Sequence, residues 1–162
     1  MKLIRKRDMV LGICLVTLSA AAPLVYSHCQ MPCGIYDDPA RLDAIAENCT
    51  TVEKAMKSIV ELSADPQKNM NQIVRWVKTK DEHADDTEFI IAYYFMAQRI
   101  KPVEKSDPGY EKYVKQLTLL HEMLVYSMKT KQTTDLANVE KLRSLLAEFR
   151  TAYLGEPEQH SH

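Results

Sequence analysis

Between Asp37 and Tyr153, apolar side chains recur at spacings of three and four, the period that lines one face of an α-helix. The first seam is Leu42, Ile45, Cys49, Val52, Met56 and Ile59. Asp37-Asp38-Pro39 ahead of it is a helix start, an acidic cap followed by a proline that the first turn tolerates. Ser63-Ala64-Asp65-Pro66 stops this helix and caps the next. The second segment opens with Met70, Ile73, Val74 and Val77, passes a polar middle from Lys78 to Glu88, and resumes with Ile90, Ile91, Tyr94, Phe95 and Gln98. No glycine or proline lies between Gln67 and Lys101, which predicts one long helix to about Lys101 rather than two that break near Asp85-Asp86. Pro102 and Asp107-Pro108-Gly109 make the next connection. A third seam reads Tyr110, Tyr113, Leu117, Leu120, Leu124 and Met128. The fourth, introduced by Thr133-Thr134-Asp135, reads Leu136, Val139, Leu142, Leu146, Phe149 and Tyr153, and Gly155 and Pro157 end it.

Four amphipathic helices on short connections predict an all-α fold, an antiparallel up-down-up-down four-helix bundle over residues 37–154 with a flexible tail over 155–162. Trp76, the tyrosines and the methionines read as core or interface. Tyr93, Tyr94 and Tyr126 are more aromatic surface than a small bundle needs, which suggests an oligomer interface. His160 and His162 belong to the tail.

Composition changes this picture little. At 162 residues and 46% hydrophobic, one globular domain is expected, and four Gly and seven Pro leave little material for the turns of an all-β fold. Residues 1–27 matter more. Lys2, Arg5, Lys6 and Arg7 precede an apolar run from Met9 to Val25, and Val25-Tyr26-Ser27 offers a cut before His28. That is the build of a secretory signal peptide, with a retained membrane anchor as the alternative for a run slightly short of a span. Leu11-Gly12-Ile13-Cys14 is a poor lipoprotein box because Ile13 is bulky. The leader predicts export to a periplasmic or other extracytoplasmic site, with no stable membrane association once it is removed. A cytoplasmic location is the alternative if it is only a prosegment. Without the leader, 17 basic and 21 acidic residues remain, a net charge of −4. A mildly acidic domain without a basic stripe argues against nucleic acid as a partner.

The chemistry concentrates in residues 28–36, His28-Cys29-Gln30-Met31-Pro32-Cys33-Gly34-Ile35-Tyr36. Cys-x₃-Cys by itself fits a disulfide in an exported protein or a loosely held zinc pair. A cut before His28 adds an α-amine to its imidazole, the Cys29 amide and the two thiols. Amine, deprotonated amide and two thiolates can lie in one plane around a metal, with imidazole on the axis. Such donors suit square-planar nickel(II) or copper(II) rather than tetrahedral zinc, and they stabilise a higher oxidation state. Three functions compete: a redox enzyme, a non-enzymatic nickel or copper carrier, and an exported interaction protein with a plain Cys29–Cys33 disulfide.

His28-Cys29-x-x-Pro32-Cys33-Gly34-x-Tyr36 resembles the nickel hook of nickel superoxide dismutase, H-C-x-x-P-C-G-x-Y, at all six specified positions. The run of four helices and the Lys80-to-Ala84 stretch extend the resemblance over about residues 28–154. It implies a superoxide dismutase that converts superoxide to dioxygen and hydrogen peroxide by Ni(III)/Ni(II) cycling, with one nickel ion per subunit. The metal would be held by the amine and imidazole of His28, the amide nitrogen and thiolate of Cys29 and the thiolate of Cys33. The resemblance also implies that Pro32 closes the hook through a cis peptide and that Tyr36 covers the open axial face. Asp43, in Arg41-Leu42-Asp43, is the best match for the acidic residue that holds the imidazole of His28. A processing peptidase cutting before His28 and a homohexamer of four-helix bundles complete the implied picture. Gln30 stands where several members have Asp, and His83 where some have Arg. His83 reads either as support for the acidic residue near the hook or as a solvated helix residue. His121 reads as a packed or interface residue.

Overall fold

The structure, a computed structural model, describes residues 37–155. Asp37 accepts the Ala40 amide at 2.7 Å and starts α1, Asp38–Leu62. Asp65 does the same for α2, Pro66–Phe89, through the Lys68 amide, and Asp135 for the last helix through the Ala137 amide at 3.0 Å. The long second helical run continues unbroken past Asp85-Asp86 as expected, but it changes winding. From Ile90 to Arg99 it is a π-helix, closed by the Ile100 amide on the Phe95 carbonyl at 2.9 Å. α3 spans Tyr110–Gln132 and α4 spans Leu136–Leu154. No strand occurs among the described residues. The chain is an all-α four-helix bundle.

Each helix packs on its two neighbours around a ring, α1 on α2, α2 on α3, α3 on α4 and α4 on α1. Contacts pair rising numbers on one helix with falling numbers on the next. Along α1 and α4, Asp38 meets Tyr153, Asp43 meets Arg150, and Glu53 meets Arg143. The core runs down the axis. Leu42, Ile45, Cys49, Val52, Met56 and Ile59 of α1 are all buried, as the first seam predicts. Phe95 meets Phe149 edge-on at 5.1 Å and Tyr153 at 5.5 Å, closing the end of the bundle where α1 begins.

Two seams depart from expectation. Met70, Val74 and Val77 of α2 remain on the surface, Val74 at 58% exposure. In α3 the buried face is rotated from the predicted one and runs through Gln116, Leu119, Leu120, Met123, Ser127 and Thr130, while Met128 is exposed. Its polar members are buried because each finds an acceptor. Gln116 donates to the Ala152 carbonyl at 3.0 Å, Ser127 to the Ala84 carbonyl at 3.0 Å, and Thr130 to the Ser127 carbonyl at 2.6 Å. Lys80 is buried as well. Its ammonium donates to the Thr130 and Lys131 carbonyls at 2.7 and 2.6 Å and to Asp81 at 3.0 Å, so a cation from α2 occupies the negative end of α3.

Candidate metal centre

His28, Cys29, Pro32, Cys33 and Tyr36 all lie outside the described residues, as do the proposed cut before His28 and the leader. Among the described residues, no group of three His, Cys, Asp or Glu could hold a metal ion, and no helix is long and apolar enough to cross a membrane. The structure does describe the residues that follow directly in the chain, from Asp37 onward.

Chief among them is Asp38. Its neighbour Asp37 already caps α1, which leaves the Asp38 carboxylate for other partners. Oδ1 accepts from the Tyr94 hydroxyl and from Arg99 Nε, each at 2.6 Å, and Oδ2 accepts from the Tyr153 hydroxyl at 2.8 Å. The Arg99 guanidinium also lies over the Tyr94 ring, 5.2 Å from its centre. Burial alone would raise the Asp38 carboxyl; the hydrogen bonds from Tyr94, Tyr153 and Arg99 outweigh it and hold the group below its ordinary value. Burial first, and then the carboxylate, push the Tyr94 and Tyr153 phenols up.

The remaining candidates are scattered. Asp43 is exposed on α1 and paired with Arg150 of α4. His83 turns to α1 instead, its Nδ1 lying 2.7 Å from Asn48 Oδ1. His121 is on the surface, beside a groove of about 430 Å³ that it lines with Glu88 and Lys131. Cys49 is fully buried, and burial pushes its thiol up to about 11 against the opposing pull of Arg143, which makes it a poor ligand.

Sequence reasoning passed over Asp38, Arg99 and Tyr153. One signal was present. Asp37-Asp38 supplies two acids where a helix start needs a single cap.

A comparison with protein families matches residues 20–156 to the family described as nickel-containing superoxide dismutase. The chain belongs to that family. As a nickel-containing superoxide dismutase it is an oxidoreductase, its substrate is superoxide, and nickel is its metal. Comparisons with curated proteins and with solved structures return no match. The matched span takes in the hook sequence, the four helices and the last residues before the proposed cut. If a cut frees His28, its amine and imidazole, the amide of Cys29 and the thiols of Cys29 and Cys33 would be donors of the kind that suit nickel. Among the described residues no cluster of His, Cys, Asp or Glu is placed to compete with them.

Proposed function

We propose that this nickel-containing superoxide dismutase works through residues 28–36 after its leader is cut between Ser27 and His28. The observation that carries the reading is the nine-residue hook sequence, placed where a cut makes His28 the first residue, within a chain whose family match spans 20–156. One nickel ion per subunit would be held by the amine and imidazole of His28, the amide and thiolate of Cys29, and the thiolate of Cys33. Bound there, nickel supplies one-electron chemistry by alternating between +3 and +2. Two superoxide ions and two protons leave as dioxygen and hydrogen peroxide.

The protein's own part is to shape and cover the site. Pro32 would close the turn between the cysteines, and Tyr36 would cover the site and order the small anionic substrate. Asp43 holds the His28 imidazole. One of its oxygens takes Arg150, and a carboxylate has lone pairs for a second donor. Such an acid would fix the imidazole's orientation.

The leader directs export, a peptidase frees His28, and nickel loads afterwards outside the cytoplasm, with no stable membrane association of the mature chain. The mature protein assembles as a homo-oligomer, a hexamer by its family resemblance. The exposed apolar side chains Met70, Val74, Phe89 and Tyr93 support burial against other copies.

N-terminal sequencing of the mature protein, metal analysis and a superoxide-turnover assay test the reading together. The expected result is a chain that begins at His28, contains nickel and turns over superoxide. Cys29→Ser or Cys33→Ser is expected to abolish nickel binding and activity. A mature chain that begins upstream of His28, or full activity in either variant, refutes the assignment.

A further inference from the structure

We infer that the Asp38 carboxylate, clamped by Arg99, Tyr94 and Tyr153, is a positioning device that fixes the base of the nickel hook. The inference rests on the reading of His28, Cys29 and Cys33 as the ligands. Asp38 lies two positions after Tyr36 and five after Cys33. Five residues of extended chain reach at most about 18 Å, so a fixed Asp38 would set an outer limit on how far the Cys33 thiol can stand from it. Ligands held near their bound positions lose less freedom when metal arrives, and they release it more slowly.

Three observations support the clamp. Asp37 provides the helix cap, so Asp38 is not needed for that purpose. Both oxygens of Asp38 are engaged, and their donors come from two elements distant in sequence, the π segment and α4. The π winding is what allows it. In an α-helix, residues five apart point about 140° away from each other at about 100° per residue. In a π-helix the i→i+5 hydrogen bond stacks them on nearly one face. Tyr94 and Arg99 are five apart, and they reach the same oxygen. An irregular winding over Ile90–Arg99 thus has a geometric product, two donors delivered to one carboxylate.

The test uses the mature chain beginning at His28, loaded with nickel. Nickel release to a chelator, the thiolate-to-nickel absorption spectrum and thermal unfolding of the metal-free protein are measured on Asp38→Asn, Tyr153→Phe and a distant control, Ile59→Ala. Asp38→Asn is expected to release nickel about tenfold faster with an altered spectrum, and Tyr153→Phe about threefold faster. Ile59→Ala is expected to lower thermal stability while release and spectrum stay at wild-type values. Unchanged release and spectrum in Asp38→Asn overturn the inference. So does release that merely tracks unfolding temperature across all three variants. If Asp38→Asn does not fold, Tyr153→Phe decides by the same criteria. Failure of the unmutated chain to bind nickel overturns the ligand assignment itself, and the clamp with it.

Discussion

Asp38 keeps only 21% of its side chain in contact with solvent and accepts three charged or phenolic donors. Hydrogen bonds to a charged group contribute about 1.5–3 kcal/mol each when both partners remain. Because its folded carboxyl lies below the ordinary value of 3.8, its contribution is complete above that value and lost as pH falls through the folded one. The raised phenols of Tyr94 and Tyr153 act in the opposite sense. Their contribution is complete below the ordinary value of 10.0 and lost as pH rises through the folded ones. Denaturant unfolding of wild type and Asp38→Asn is therefore expected to differ by about 1.5–3 kcal/mol on a plateau from about pH 4 to about pH 10. The difference should shrink on the acid side, and a difference that grows with acid would contradict the clamp. Cys49 gives a second residue-scale outcome. With its thiol buried and raised to about 11, it is expected to resist a thiol reagent in the folded bundle and to react on unfolding.

Helix α3 shows how an element can bury a face that its apolar residues do not mark. Leu120 lies on both the predicted and the observed seam, but Ser127 and Thr130 replace Leu124 and Met128 at the centre. A hydroxyl that can reach a carbonyl loses its reason to stay in water, and apolar periodicity cannot register that. Lys80 belongs to the same end of α3. Replacing it with Met should leave the Thr130 and Lys131 carbonyls without their cation and cost about 1–3 kcal/mol. The loss should appear as faster amide exchange in the last turn of α3, with the α1–α4 pairing unchanged. What could be read in advance was what the chain decides locally. The caps at Asp37, Asp65 and Asp135 and the seams of α1 and α4 depend on residues two to four positions apart. The π winding over Ile90–Arg99 was not legible, because Ile-Ile-Ala-Tyr-Tyr-Phe-Met reads equally well as an apolar α-helix. The hook sequence is a local pattern of the same kind, six specified residues within nine, and it lies outside the described residues. The Asp38 clamp is not legible, because its donors stand 56, 61 and 115 positions away.

At the scale of the whole molecule, the first half of α2 carries an apolar surface that the described residues leave uncovered, Met70 at 55% and Val74 at 58% exposed. If copies of the chain cover it, Met70→Glu with Val74→Lys should shift the sedimenting species toward the monomer while helical content and unfolding temperature hold. An unchanged assembly would place the contacts elsewhere. The clamp also imposes an order on biogenesis. Asp38 is among the first bundle residues to be synthesised, yet Tyr153, which holds its second oxygen, is among the last. A chain made from its N-terminus, or threaded across a membrane in that direction, cannot complete the anchor until its final helix arrives. If the clamp positions the hook, metal acquisition would belong to the finished chain, and a protein truncated before Tyr153 is expected to mature its N-terminus normally and still hold nickel poorly.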